Sequence, residues 1–292
     1  MIRRKNMETI MKTKKNKKID WKSQIILILI IIAVLSPFYI MLLTSVETFA
    51  ETNQAEFVFV PETITFEAYK DVIFKESGGV NLLRSLWNTL WIYLPGIVVG
   101  IFTSTLAAYA FAKLEFKSKT FVFSVLMATL TLPNCMSTIA SFLMFDQINW
   151  VNTPWPLMVP RMFGSIGVVF FLRQYYMGIP NELMESARLD GAGNWEIFFR
   201  IMFGLAKPAM FSQFIIQFIG GYNDYTGPLI YLQDARLYTL QIALNLFYDP
   251  YTQNWPMRMA GCVVSMLPLI ILYIFTQKFM TKGMEVSSGL KG

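Results

Sequence analysis

The chain has 292 residues, of which 54% are hydrophobic and only 15% charged, and its mean hydropathy is +0.45. That balance excludes an ordinary soluble enzyme and points to an integral membrane protein. The complete lack of histidine removes imidazole bases, Ser-His and Cys-His dyads, and most zinc and haem ligation, so any chemistry must come from carboxylates, amines or a partner, and no metal site is expected.

The net charge of +6 has a local origin: nine of the 25 basic residues, from Arg3 to Lys22, precede the first apolar run. This is the signature of a cytoplasmic membrane flank rather than of a nucleic-acid-binding face. Residues 1–24 are therefore expected to form a basic cytoplasmic tail, and residues 25–46 the first span. Ile25 to Val46 carries no charge and is long enough to cross a ~30 Å hydrocarbon layer as a helix. It is too long for a cleaved signal peptide ending at Thr48-Phe49-Ala50.

Residues 47–85 follow as an acidic extracytoplasmic loop holding Glu47, Glu51, Glu56, Glu62, Glu67, Asp71 and Glu76. A core of residues 86–282 then contains five more expected spans. Leu86 to Ala112 is uncharged, opens with the interfacial aromatics Trp87 and Trp91, and carries Gly96 and Gly100 as a small-residue packing face. Thr120 to Phe145 is also uncharged. Pro156 to Met177 is weaker, because Arg161 and Arg173 leave an uncharged core of eleven residues. A re-entrant piece is the alternative there, but an arginine near a helix end can snorkel, so a span is expected. Pro208 to Gln233 contains a single charge, Asp224, and Met259 to Gln277 contains none. The two cysteines, Cys135 and Cys262, lie in separate apolar runs without CxxC spacing and are expected to be small core residues.

Six spans put both termini on one side. With the termini inside, the inner segments carry 19 basic residues and the outer segments six, so both ends are expected in the cytoplasm. The fold class is then an all-α membrane protein of six transmembrane helices, with residues 283–292 as a cytoplasmic C-terminal tail.

Between the fourth and fifth spans, Gln174 to Lys207 forms the longest inner loop, and its sequence is built to fold. Pro180 ends the preceding helix, Asn181 can cap a new one, and Glu182 and Glu185 place negative charge in its first turn. Glu185 and Arg188 can pair, and Leu183, Met184 and Ala187 give an apolar side. Gly191 breaks this helix, and Asn194 can cap a second one bearing Trp195, Phe198, Phe199 and Met202 at i, i+3, i+4 and i+7. The product is a hairpin with one apolar face and a polar tip, shaped for docking to protein. An interfacial helix lying on lipid headgroups would carry fewer acidic residues.

The stretch "ELMESARLDGAGNWEIFFRIMFGLAKPAM" resembles the EAA loop of membrane subunits of binding-protein-dependent ABC importers, in particular the carbohydrate group of the maltose-permease type. Glu185, Ala187, Asp190, Gly191, Ala192, Phe198, Ile201 and Pro208 match its pattern. Ser186 and Gly204 depart from it, where alanine and proline are usual. "WNTL" from Trp87, "LAAYAFAKLEF" from Leu106, "FFLRQYY" from Phe170, "GYNDYTGPLIYL" from Gly221 and the ending "KGMEVSSGLKG" extend the likeness over most of the chain.

The resemblance implies a bacterial inner-membrane permease that forms half of a carbohydrate translocation path. The EAA-type coupling hairpin (residues 178–208) would dock on an ATPase through Glu182, Glu185, Ala187, Asp190, Gly191 and Ala192. The implied partners are a second homologous permease, two copies of an ATP-binding subunit, an extracytoplasmic solute-binding protein and membrane lipid. ATP and Mg would sit on the ATPases, since this chain has no phosphate-binding G-x-x-x-x-G-K-[ST] loop. Asn223, Asp224, Tyr222, Tyr225 and Trp155 become candidates for the solute path, and Gly289 and Lys291 for C-terminal contacts with the ATPases.

Two other classes stay open at this point: a self-contained secondary transporter using Asp224 as an ion site, and a membrane-embedded enzyme using carboxylates. Within the ABC class, an amino-acid or peptide importer is the nearest alternative.

Overall fold

The structure, a computed structural model, describes residues 21–53, 60–76, 79–247 and 254–289; for 134, 135 and 278–289 it describes the backbone alone. The described residues with regular structure are helical. The long helices α1 (Trp21–Thr44) and α4 (Leu82–Lys113) are separated by the short helices α2 (Phe49–Thr52) and α3 (Glu67–Phe74). Next come α5 (Lys119–Thr129) and α6 (Asn134–Gln147), then α7 (Trp155–Met162) and α8 (Ile166–Met177).

The hairpin contributes α9 (Glu182–Leu189) and α10 (Asn194–Ile197). A π-turn at Phe198–Met202 joins α10 to α11 (Phe203–Tyr222), and α12 (Thr226–Tyr231), α13 (Leu240–Leu246) and α14 (Trp255–Gly289) complete the order.

Among the described residues, five helical stretches are long and apolar enough to cross a membrane: Trp21–Thr44, Leu82–Lys113, Trp155–Met177, Asn194–Tyr222 and Trp255–Gln277. The third expected span, Thr120 to Phe145, is not one helix. It is divided into α5 and α6 around Leu130–Pro133, with Pro133 extended at ψ 130°. Proline lacks the N–H that would continue the ladder and drives the residue before it out of the helical region. The fifth span also differs from its expected limits of Pro208 to Gln233. Its helix begins at the hairpin, runs to Tyr222, and breaks at Asn223–Tyr225 before α12.

The centre of the molecule is α4, which packs on α7, α8 and α11. The close approach depends on the glycines singled out in the sequence: a Cβ on Gly100 would lie 2.1 Å from the Arg161 carbonyl oxygen, and one on Gly96 would lie 2.9 Å from that of Met158. Two apolar clusters flank this contact. One gathers Val72, Leu82, Ile92, Tyr93, Phe218, Tyr222 and Leu240. The other gathers Tyr109, Leu172, Tyr176, Met184, Ile197, Phe198 and Met202, and so fastens the hairpin to the ends of α4 and α8. By contrast α1, which packs against α14, exposes its apolar side chains almost all round, as a membrane helix bordered by lipid or another subunit would.

Candidate functional site

The hairpin forms as two arms joined by a glycine turn, though its caps differ from those expected. Gly191 takes φ +86°, a left-handed conformation that costs an L side chain about 1–2 kcal/mol, and so supplies the turn. Asn181 does not cap α9 through its side chain; its amide oxygen instead accepts a 2.6 Å hydrogen bond from Lys113 Nζ, which also donates to the Ile179 carbonyl at 2.6 Å. The first arm is thus pinned to the end of α4. Gly193 occupies the cap position of α10, and Asn194 is its first helical residue.

The expected Glu185–Arg188 pair does not form, because the Arg188 guanidinium donates to Asn194 Oδ1 across the turn at 3.3 Å and ties the two arms together. Met184 and Ala187 are buried, whereas Leu183 faces outward. On the second arm Phe198 and Met202 are buried with Ile197, while Trp195 and Phe199 are exposed and stacked on each other at 6.2 Å. The pattern of i, i+3, i+4 and i+7 therefore divides between two faces, one packed on the bundle and one open. Glu182 and Glu185 are exposed along the first arm, Asp190 and Gly191 are exposed at the turn, and Ala192 is half-buried.

A second constellation lies deep in the bundle, at the breaks in the fourth and fifth spans. Gly164, at φ +91°, separates α7 from α8. Backbone groups freed by such a break must find partners inside a membrane. Here Thr103 Oγ1 of α4 donates to the Met162 carbonyl at 2.9 Å, and Ser104 Oγ accepts from the Ser165 amide at 3.1 Å. At the other break, Asp224 Oδ1 accepts from the Gly227 amide at 3.0 Å, and Gln241 Nε2 donates to the Tyr222 carbonyl at 3.3 Å and to Asn223 Oδ1 at 3.2 Å.

The two breaks are bridged through Asp224. Its Oδ2 accepts from the Tyr93 hydroxyl at 2.9 Å and from Arg161 Nη2 at 3.2 Å, and the Arg161 guanidinium lies 4.7 Å from the centre of the Tyr93 ring. A charge in a span needs a partner or water, and Asp224 has two side-chain partners besides the Gly227 amide. Beside the cluster is a cavity of about 460 Å³ lined by Arg161, Asp224, Gln217, Ser165 and Tyr231 among others.

Of the candidate path residues, Asp224 borders this cavity, whereas Asn223, Tyr225 and Trp155 are exposed and outside its lining. Tyr222 does not face it: its ring is 2% exposed and its hydroxyl donates to the Ser265 carbonyl at 2.7 Å, which makes it a packing residue between α11 and α14. Gly289 ends α14, and Lys291 lies outside the described residues. Sequence reasoning missed Tyr93 and Arg161 as partners of Asp224, the former because it sits 131 residues away in an uncharged span. The available signal was Arg161 itself, a second charge within the membrane-spanning stretches that called for an opposite one.

The family described as "binding-protein-dependent transport system inner membrane component" matches residues 96–286, which include the hairpin and, Tyr93 apart, the Asp224 constellation. The arabinooligosaccharides transport system permease protein AraQ of Halalkalibacterium halodurans is 33% identical over 242 residues, covering 82% of this chain and 84% of that protein. The sn-glycerol-3-phosphate transport system permease protein UgpE of Brucella abortus is 29% identical over 265 residues, covering 89% of this chain and 94% of that protein. A chain of a bacterial ABC transporter involved in the import of the acidic polysaccharide alginate shares the fold, with a TM-score of 0.78 at 21% identity over 88% of this chain and 94% of that one. Hairpin, broken spans and sequence likeness agree: this chain belongs to the binding-protein-dependent family of ABC importer permeases, as a multi-pass inner-membrane transport subunit and not an enzyme.

Proposed function

We propose that the chain forms half of the translocation pathway of an ATP-driven carbohydrate importer, with a second homologous permease as the other half. Two ATPase subunits, carrying ATP and Mg, drive it, and an extracytoplasmic solute-binding protein delivers the solute. Both termini and the hairpin face the cytoplasm, in keeping with the excess of lysine and arginine on that side.

The observation that carries the coupling role is the hairpin itself. It is anchored by Met184, Ala187, Ile197 and Phe198 on the bundle, yet presents Glu182 and Glu185 on the open side of its first arm and Asp190 at its turn. A rigid, charged projection suits transmission of an ATPase movement, and transport follows as a shift between inward- and outward-facing states. In this scheme Glu185 meets a basic group of the ATPase, Gly191 holds the turn, Ala187 seats the first arm closely on the bundle, and Ala192 keeps the turn slim enough for a cleft. Gly289 and Lys291 add contacts from the C-terminal tail.

Carbohydrate is favoured as solute by AraQ, whose name specifies arabinooligosaccharides. Asn223, Asp224, Tyr225 and Trp155 are the proposed path residues. The test is co-purification from membranes with wild type and Glu185→Lys. Wild type is expected to recover an ATPase and a second permease, and Glu185→Lys to lose the ATPase while keeping the permease. Equal ATPase recovery from both would remove the coupling role.

A further inference from the structure

The cavity at the two helix breaks is polar in an unusual way for a membrane interior. Arg161 and Asp224 are the charged residues that line it, and they neutralise each other at 3.2 Å. Neither is sealed off: the side chains retain 32% and 22% of their exposure. The cluster therefore offers a carboxylate that accepts and a guanidinium that donates, with no net charge to give away. Around the pair stand the Gln217 amide, which does both, and the ring of Tyr231. The volume of about 460 Å³ is that of a small-ligand site.

We propose that the Arg161–Asp224 pair is a specificity-determining contact that favours uncharged, polyhydroxylated solutes over acidic ones on their way through this subunit. The proposal rests on the carbohydrate-importer function above and narrows its solute class. Sugar hydroxyls donate and accept at once, so a vicinal pair can bind Asp224 through one oxygen and Arg161 through the next without separating the charges. An apolar sugar face suits the aromatic ring of Tyr231. A carboxylate-bearing sugar could take Arg161 only by displacing Asp224, leaving two negative groups beside each other. Tyr93 strengthens this bias, because its hydroxyl donates to the same Asp224 Oδ2 and its ring lies beside the guanidinium.

The test uses the complete transporter, with partner permease, ATPases and binding protein, in proteoliposomes. One pool of neutral oligosaccharides and one of uronate-containing oligosaccharides of the same lengths are supplied, and ATP-dependent uptake is read by mass spectrometry of the lumen. Wild type is expected to prefer the neutral pool, and Asp224→Asn, which unpairs Arg161, to shift the neutral-to-acidic ratio by about tenfold or more toward the acidic pool. The double variant Arg161→Gln/Asp224→Asn is expected to lose that gain of acidic uptake. If Asp224→Asn does not assemble, Tyr93→Phe serves in its place and is expected to shift the ratio in the same direction by a smaller factor. A uniform fall for both pools, or an unchanged ratio in an assembled variant, would reduce the pair to a structural brace. Absence of ATP-dependent uptake of either pool by an assembled, ATP-hydrolysing wild type would instead overturn the carbohydrate function on which the proposal stands.

Discussion

Substituting Gly100 by alanine tests the central contact of the bundle. A Cβ there would stand 2.1 Å from the Arg161 carbonyl oxygen and 3.2 Å from the carbon that bears it. The neighbour is backbone, so no side chain can swing away; α7 must retreat by roughly 1.3 Å or more to restore ordinary contact. Overpacking costs about 1–3 kcal/mol, and a rigid backbone neighbour puts Gly100→Ala at the upper end, roughly a hundredfold or more in the folded-to-unfolded ratio.

The matching control is Gly204→Ala in α11, where an added Cβ meets nothing within 4 Å. Relief of glycine's backbone entropy there should stabilise the helix by about 0.5–1 kcal/mol. Thermal and denaturant unfolding of the detergent-solubilised protein, followed by tryptophan fluorescence, is expected to place Gly100→Ala well below wild type and Gly204→Ala at or above it. If the two alanine variants melted together, the close approach of α4 and α7 would be wrong.

Two further outcomes follow from single contacts. Tyr222→Phe deletes the hydroxyl that donates to the Ser265 carbonyl, so it should cost about 1 kcal/mol in unfolding experiments while leaving solute preference unchanged; an altered preference would return Tyr222 to the path. In the loop before α13, Arg236 hydrogen-bonds the Asp234 carboxyl through its side chain and its amide and holds that group down at about 2. A carboxyl lowered on folding stabilises the native loop fully above its ordinary value and loses that contribution as pH falls through the lowered one. Asp234 should therefore remain ionised at pH 3.5 in carbon-detected NMR of the labelled side chain, and titration near its ordinary value would remove the pairing.

What could be read from the sequence depended on how local the cause was. The uncharged run at the start of the chain and the Gly191 turn are decided by neighbouring residues, and both formed where expected. Gly96 and Gly100 were legible as a packing face, but not their partner, since the carbonyls they admit belong to a helix some sixty residues on. Hydropathy summed over a window hid the division of the third apolar run, although Pro133 stood in plain view as its cause. The caps of the hairpin shifted because tertiary partners competed successfully: Lys113 claimed Asn181, and Arg188 claimed Asn194 in preference to Glu185. Asp224 was legible as a charge in need of company, but the identity of its partners was settled by folding, which brought together residues from three spans.

The stretch from Asn194 to Tyr222 is helical throughout, crossing the π-turn and Pro208 without a break, and its 29 residues make a shaft roughly 44 Å long. One end belongs to the exposed hairpin, and the other stops two residues short of Asp224. Such a shaft is a lever with a mechanical advantage fixed by its length: pivoting it by about 5° at the hairpin would sweep the far end through about 4 Å. An increase of about 0.8 Å would carry the 3.2 Å contact of Arg161 and Asp224 beyond ion-pair range, so even a fraction of that sweep, if Asp224 followed it, would prise the pair apart.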